Sequence, residues 1–230
     1  MFGRKPQKTN SQTVVSVVAA SLRRDIAFGD LAPDSKLKIE ALRSRYGGSN
    51  HSVREALTQL ASEGLVEATA QRGFRVASAT QADLQDIIKL RAELEPLALK
   101  WSLQNSDIAW EGRLVAALHA TERATESLLQ DPDGAVMMWD EAARELHQEA
   151  VSACGSPRMI RVLGQLYDQS RRFRLAALRE GRCDPRELSR LRSGMVAAIL
   201  AKDADTATEH LIRDIRHELD ASQARGNGNT

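Results

Sequence analysis

Cysteine, aromatic residues and long apolar runs are all scarce in this chain. Two cysteines occur in 230 residues, Cys154 and Cys183, and their spacing fits neither a metal finger nor a redox pair. A disulfide framework is thereby excluded, and a reducing, cytoplasmic address is expected. No run of about 18 apolar residues exists, so no membrane-spanning helix is expected. The stretch from Met1 to Asn10 is basic and polar without an apolar centre, unlike a secretory signal. Catalytic signatures are missing too, with no glycine-rich phosphate loop and no serine nucleophile elbow. His147 and Cys154 fall in one helical pattern but two turns apart, about 10 Å, too far for the imidazole to activate the thiol. No enzymatic activity is expected.

What is present is helical text, rich in Ala, Leu, Arg and Glu, with 42% hydrophobic and 27% charged residues. The length allows two modest domains. The net charge of +1 conceals an asymmetry: residues 1–77 hold 12 Lys/Arg against 7 Asp/Glu, and the remainder holds 20 against 24. A basic head on an acidic body suggests that one end meets a polyanion.

Residues 11–28 carry Val14, Val15, Val18, Leu22 and Ile26 at helical spacing, with Ser11 or Thr13 as a cap. Gly29 to Asp34 forces a turn, and a short helix from Ile39 to Tyr46 ends at Gly47-Gly48. Ser49 caps the next helix, about His51 to Glu63, with Val53, Leu57 and Leu60 inward and Gly64 as terminator. Leu65–Ala68 and Gly73–Val76 read as two short strands around a tip containing Gln71 and Arg72. Helix, helix, turn, helix and hairpin is the order of a winged helix-turn-helix, a DNA-binding unit. Ala77 to Gln81 is small and polar. Beyond it only helical patterns occur, at 82–104, 107–130, 134–154, 157–180, 185–202 and 204–222. The predicted fold is therefore mainly α. A winged helix-turn-helix at 11–77 and a linker at 78–81 lead into an antiparallel six-helix bundle at 82–222, followed by a disordered tail at 223–230.

These segments resemble the GntR superfamily of bacterial regulators, in the branch whose effector domain is the FCD bundle. Ser49-Asn50-His51-Ser52-Val53-Arg54-Glu55-Ala56-Leu57 with Glu63-Gly64-Leu65-Val66 resembles the family's recognition-helix signature, and Arg72-Gly73-Phe74-Arg75-Val76 its wing. Leu90 to Glu95, Leu146-His147 and Ala198-Ile199 with Lys202-Asp203 and Ala207 resemble successive pieces of the effector domain. The resemblance covers about residues 12–222 and implies a homodimer bound to a palindromic double-stranded DNA operator, with a small carboxylate as effector.

A recognition helix presents its N-terminal residues to base edges in the major groove. Here those are Ser49, Asn50, His51, Ser52 and Arg54, with Arg54 suited to guanine O6/N7 or a phosphate. Glu55 and Glu63 are the surface partners that would otherwise hold Arg54. The family usually has Arg and Thr where this chain has Asn50 and His51, and Asn favours adenine. Lys38, Arg43 and Arg45 are expected on phosphates, and Arg72 at the wing tip in the minor groove.

Many FCD domains bind a divalent metal through one Asp and three His. By position this chain keeps only His147, with Ala143 for the Asp and with Arg192 and Asp214 for the later histidines. A guanidinium suits direct, bidentate carboxylate binding, so a metal-free pocket without any cofactor is expected, built from Arg91, Asp140, His147, Tyr167, Arg171, Arg192 and Asp214. Arg171 and Arg172 point about 100° apart, so only one faces inward. The alternatives are a metal-dependent sensor using His147 and Asp214, with His210 or His217 brought in by a shift of register, and an architectural DNA protein without ligand.

Overall fold

The structure, a computed structural model, describes residues 9–69 and 73–223; the expected tail beyond 223 and the wing tip with Arg72 lie outside the described residues. The chain divides into two compact units after Ala79.

The first unit contains α1 (Thr9–Phe28), β1 (Lys36–Leu37), α2 (Ile39–Tyr46), α3 (Asn50–Ser62), β2 (Val66–Thr69) and β3 (Gly73–Val76). Helix α1 is already formed at Thr9, so Ser11 and Thr13 lie inside it rather than capping it. The core joins Val18, Ala19, Leu22 and Ile26 of α1 to Val53, Ala56, Leu57 and Leu60 of α3 and to Leu65, Val66, Phe74 and Val76 of the sheet. That sheet has three antiparallel strands in the order β1-β3-β2, not the two expected. A two-residue strand is too short to show alternation. Leu37 turns inward opposite Phe74, and the Ser35 carbonyl accepts from the Val76 N–H at 3.0 Å, which extends the pairing.

The second unit is helical throughout its described residues: α4 (Gln81–Gln104), α5 (Ile108–Gln130), α6 (Pro132–Val151), α7 (Pro157–Arg179), α8 (Pro185–Leu200) and α9 (Ala204–Gln223). The breakers seen in the sequence act as start signals. Asp131, Ser156 and Asp184 cap α6, α7 and α8, each followed by proline at the first helical position, where its missing N–H is harmless. This capping starts α6 at Pro132, two residues before the expected 134.

The bundle core gathers Leu84, Ile88 and Leu99 of α4, Trp110 and Leu114 of α5, Leu146 of α6, Met195 and Ile199 of α8, and Leu211 and Ile215 of α9. Gly194 lets α8 and α9 approach closely, since a Cβ there would stand 2.6 Å from the His210 ring. The interior is not uniformly apolar. Arg91, Glu95, Asp140, His147, Ser170, Arg171, Arg174, Arg192 and Asp214 are all buried.

Candidate functional site

Two places concentrate charge or polarity. The first is the outer face of α3. Gly47 and Gly48, with φ of 79° and 83°, make the reversal between α2 and α3 in a conformation that L side chains rarely adopt. Ser49 then caps α3 reciprocally with Ser52: the Ser52 N–H donates to Ser49 Oγ at 3.1 Å and the Ser49 N–H donates to Ser52 Oγ at 2.9 Å. Because Val53, Ala56, Leu57 and Leu60 anchor one face of α3, the other exposes Asn50, His51, Arg54, Glu55 and Thr58. His51, Arg54, Glu55 and Thr58 border an open groove that reaches Val15 and Ser16 of α1.

Arg54 makes no side-chain ion pair among the described residues. Glu55 lies 3.3 Å from His51, and Glu63 takes the Arg23 guanidinium in a two-pronged contact at 2.5 and 2.7 Å. The Arg23–Glu63 pair, which the sequence reading missed, fastens the end of α3 to α1. Ser52 corrects that reading as well: it is buried and committed to the cap, so it is not offered to a partner. Lys38 precedes α2 as its N-cap residue rather than lying on it, and it is exposed, as is Arg43. Arg45, half-exposed, is tied to Asp25 of α1, which also accepts from the Tyr46 hydroxyl. Burial first, and then Asp25, push the Tyr46 pKa above its usual value.

The second place is inside the bundle. His147, on α6, lies between two carboxylates: its Nδ1 is 2.8 Å from Glu95 Oε2 of α4 and its Nε2 is 2.8 Å from Asp214 Oδ2 of α9. Each carboxylate has an arginine behind it. Arg91 Nε donates to Glu95 at 2.5 Å, and Arg192 Nε donates to Asp214 at 3.0 Å. Guanidinium, carboxylate, imidazole, carboxylate and guanidinium thus alternate along a buried line that links α4, α6, α8 and α9. Burial alone would lower the His147 pKa, but Glu95 and Asp214 outweigh it and raise it. Both ring nitrogens face ionised acceptors, so the ring is an imidazolium donating twice. Burial likewise works to raise Glu95, yet Arg91 and His147 hold it at about 2, and Arg192 and His147 hold Asp214 well below the usual carboxylate range.

Tyr167 of α7 completes this centre, its ring 5.2 Å from that of His147 and beneath the Arg91 and Arg174 guanidiniums. Asp140 and Arg171, expected in the same pocket, form a neighbouring group. Asp140 accepts from Arg171 at 2.5 Å and from Arg174 at 2.9 Å, which keep its pKa low against burial. Arg171 turns inward and the adjacent Arg172 less so.

Sequence reading missed Glu95, Ser170, Arg174 and Trp139. Glu95 stood within the quoted α4 words, and its four-residue offset from Arg91 was the available signal. Among the buried donors that lack a hydrogen-bond acceptor within the described residues, Arg192 Nη1 and Trp139 Nε1 are neighbours, with the guanidinium 5.5 Å from the Trp139 ring centroid.

A divalent metal does not fit this donor set. His147 has both nitrogens engaged, the Arg192 guanidinium is bonded to Asp214, and Ala143 offers no donor. No group of three or more His, Cys, Asp or Glu among the described residues is arranged to hold an ion. His210 and His217 do not join His147; one packs on Gly194 and the other stands 3.7 Å from Glu187.

A winged helix-turn-helix and a helical bundle with a polar buried centre, joined in one chain, define a ligand-responsive transcriptional regulator. Comparison with known proteins makes this specific. Residues 15–76 match the family described as bacterial regulatory proteins, gntR family, and residues 86–217 match the FCD domain. The chain is 35% identical to the HTH-type transcriptional regulator BphR of Paraburkholderia xenovorans, over 91% of this chain and 85% of that one. It is 31% identical to the HTH-type transcriptional repressor GlaR of Escherichia coli, over 84% of this chain and 90% of that one. The solved structure of E. coli McbR/YncC has the same fold, with a TM-score of 0.74 at 22% identity, covering 93% of this chain and 99% of the other. The chain belongs to the GntR family of bacterial regulators and carries an FCD effector domain. It is a DNA-binding protein and not an enzyme. Among the described residues no helix is long and apolar enough to cross a membrane.

Proposed function

We propose that this regulator senses a small dicarboxylate without a metal and that the effector releases it from a palindromic operator, bound as a homodimer, in front of a catabolic operon. The observation that carries the reading is Arg192. It stands where metal-binding relatives place a histidine, it is buried, and it keeps one N–H unsatisfied beside the equally unsatisfied Trp139 indole. Buried donors without acceptors are rare in native proteins, and an anion is the acceptor that a guanidinium favours. The charge balance supports the same reading. Four buried guanidiniums and the His147 imidazolium face three buried carboxylates, Glu95, Asp140 and Asp214, and the half-exposed Glu141, 2.7 Å from Arg171, which leaves one positive charge in excess. Arg91, at the far end of the line, supplies the second cationic anchor that a dicarboxylate needs. Repression is supported by the likeness to GlaR, which is a repressor.

On the DNA side, Asn50, His51 and Arg54 read bases, Ser49 holds the start of α3, and Lys38, Arg43, Arg45 and Arg72 meet phosphates or the minor groove. A two-fold dimer presents two such helices to an inverted repeat.

Calorimetric titration with C4 to C6 dicarboxylates tests the effector. Binding should be tighter than that of monocarboxylates or neutral analogues, should weaken operator binding, and should be lost in Arg192→Ala while DNA binding persists. Elemental analysis after dialysis should find much less than one Zn, Ni or Mn per chain; a stoichiometric metal that depends on His147 overturns the metal-free reading. A chain whose melting temperature responds to no small molecule would instead be an architectural protein.

A further inference from the structure

Arg192 keeps an N–H open to an anion although Asp214 is bonded to it, whereas Glu95 lies between Arg91 and His147, so a second carboxylate reaches that place only if Glu95 turns away. The two carboxylates flanking His147 are not equivalent in this respect. Asp214 stands on α9, and its bonds to His147 and Arg192 tie α9 to α6 and to α8. Glu95 stands on α4 one turn from Arg91, so its bond to Arg91 is internal to the helix and only the bond to His147 crosses to another element. Turning Glu95 away requires a side-chain rotation. Turning Asp214 away gives up two bonds between helices, against one for Glu95.

A small cavity beside the cluster, of about 10 Å³, opens on the Glu95 side and is bounded by Glu95, His147, Tyr167, Val151, Ile160 and Leu163 among others. It is large enough for roughly one water, far too small for a dicarboxylate while Glu95 remains in place.

We infer that Glu95 is a tethered occupant of the effector's carboxylate position, neutralising Arg91 and His147 in the ligand-free protein and giving way to an effector carboxylate by exchange. The inference rests on reading this site as a carboxylate sensor. Exchange is chemically economical because one carboxylate replaces another, so Arg91 and His147 are never left buried with an uncompensated charge. A neutral ligand of equal size lacks this advantage, so the site selects anions by charge rather than by shape. Glu95 also sets the response threshold, since the apparent affinity is the intrinsic affinity reduced by the fraction of molecules in which Glu95 has vacated the site.

Two variants of the full chain test this, with acetate, succinate and acetamide as probes at matched ionic strength. Glu95→Ala should melt several degrees below the wild type, with acetate restoring the loss saturably and acetamide failing to. Glu95→Gln keeps the volume and removes the competing charge, so it should bind succinate at least about tenfold more tightly than the wild type by calorimetry. Equal effects of acetate and acetamide on Glu95→Ala would mean simple cavity filling and overturn the inference. So would a Glu95→Gln protein that binds succinate no tighter than the wild type, the deciding result if Glu95→Ala does not fold. If the wild type binds dicarboxylates and Glu95→Gln binds them no better, exchange fails alone; if neither responds to any carboxylate, the sensor reading falls with it.

Discussion

The two units handle arginine in opposite ways. In the DNA-binding unit, apolar residues set the position of α3, aided at its end by the Arg23–Glu63 pair, and the cations on the side expected to meet DNA are left at the surface: Arg54 and Arg43 are exposed, and Arg45 is half-exposed. In the bundle, Arg91, Arg174 and Arg192 are at most 4% exposed and each meets a carboxylate. An exposed guanidinium meets an external polyanion without reorganisation and is screened by salt. A buried one is tied into the packing, so it responds to an outside anion only through a change within the protein. The first arrangement suits a contact surface and the second suits a switch.

The sharpest test of this contrast is stability. Asp214→Ala leaves Arg192 and His147 buried without their shared partner and should destabilise the bundle by about 3–5 kcal/mol. Arg54→Ala, on the solvated face of α3, should change stability by no more than about 0.5 kcal/mol. Denaturant unfolding measures both, and comparable losses would erase the distinction. The buried line should also respond to pH in a defined direction. The folded pKa of His147 is raised, so its contribution is complete below about pH 6.5, the unfolded value, and is lost as pH rises through the folded one. Glu95 and Asp214 behave oppositely: their folded values are depressed, so their contribution is complete above about pH 4.5 and lost on acidification. The stability difference between the wild type and His147→Asn should therefore be greatest between about pH 4.5 and 6.5 and shrink on the alkaline side. A difference that grows above pH 7 would mean a neutral ring.

Next in size is the surface effect on DNA. Arg54→Ala should weaken operator binding by about 1–3 kcal/mol if it grips a base bidentately. Footprinting should find an inverted repeat, with affinity falling steeply as salt rises. An unchanged affinity would move base reading to Asn50 and His51.

Much of the first unit was legible because its signals are local. Gly47-Gly48, the Ser49 cap and Gly64 punctuate a short stretch, and Val53, Leu57 and Leu60 mark one face of α3. The third strand escaped because two residues carry no periodicity, and Ser52 was misjudged because its position on the leading turn suggested exposure while its hydroxyl serves the cap. In the bundle, the helices and the meeting of His147, Arg192 and Asp214 were legible, the latter through family position alone. Their partners were not. His147 and Glu95 are separated by 52 residues and Arg174 and Asp140 by 34, and helical text holds no rule for pairing charges across a bundle. Trp139 escaped for the same reason, since a lone tryptophan on an apolar face reads as core.

The smallest expected effect concerns Ser49 and Ser52, where the DNA-binding unit has its own half-buried polar contact. Ser49→Ala removes the acceptor for the Ser52 N–H and should lower the stability of the DNA-binding unit by about 1 kcal/mol, the usual value of an N-cap. Ser52→Ala removes the reciprocal half, leaving the Ser49 N–H to solvent, and should cost less because that group lies at an exposed turn. Both changes loosen the leading turn of α3, the part expected to enter the groove, so operator affinity should fall modestly. The salt dependence should stay unchanged because no phosphate contact is lost. A phosphate-contacting Arg54 would behave differently, reducing the slope of log affinity against log salt by about 1 when replaced. If Ser52→Ala instead cut affinity by more than about tenfold at unaltered stability, Ser52 would have to turn outward to reach DNA. The capping arrangement would then describe only the unbound protein.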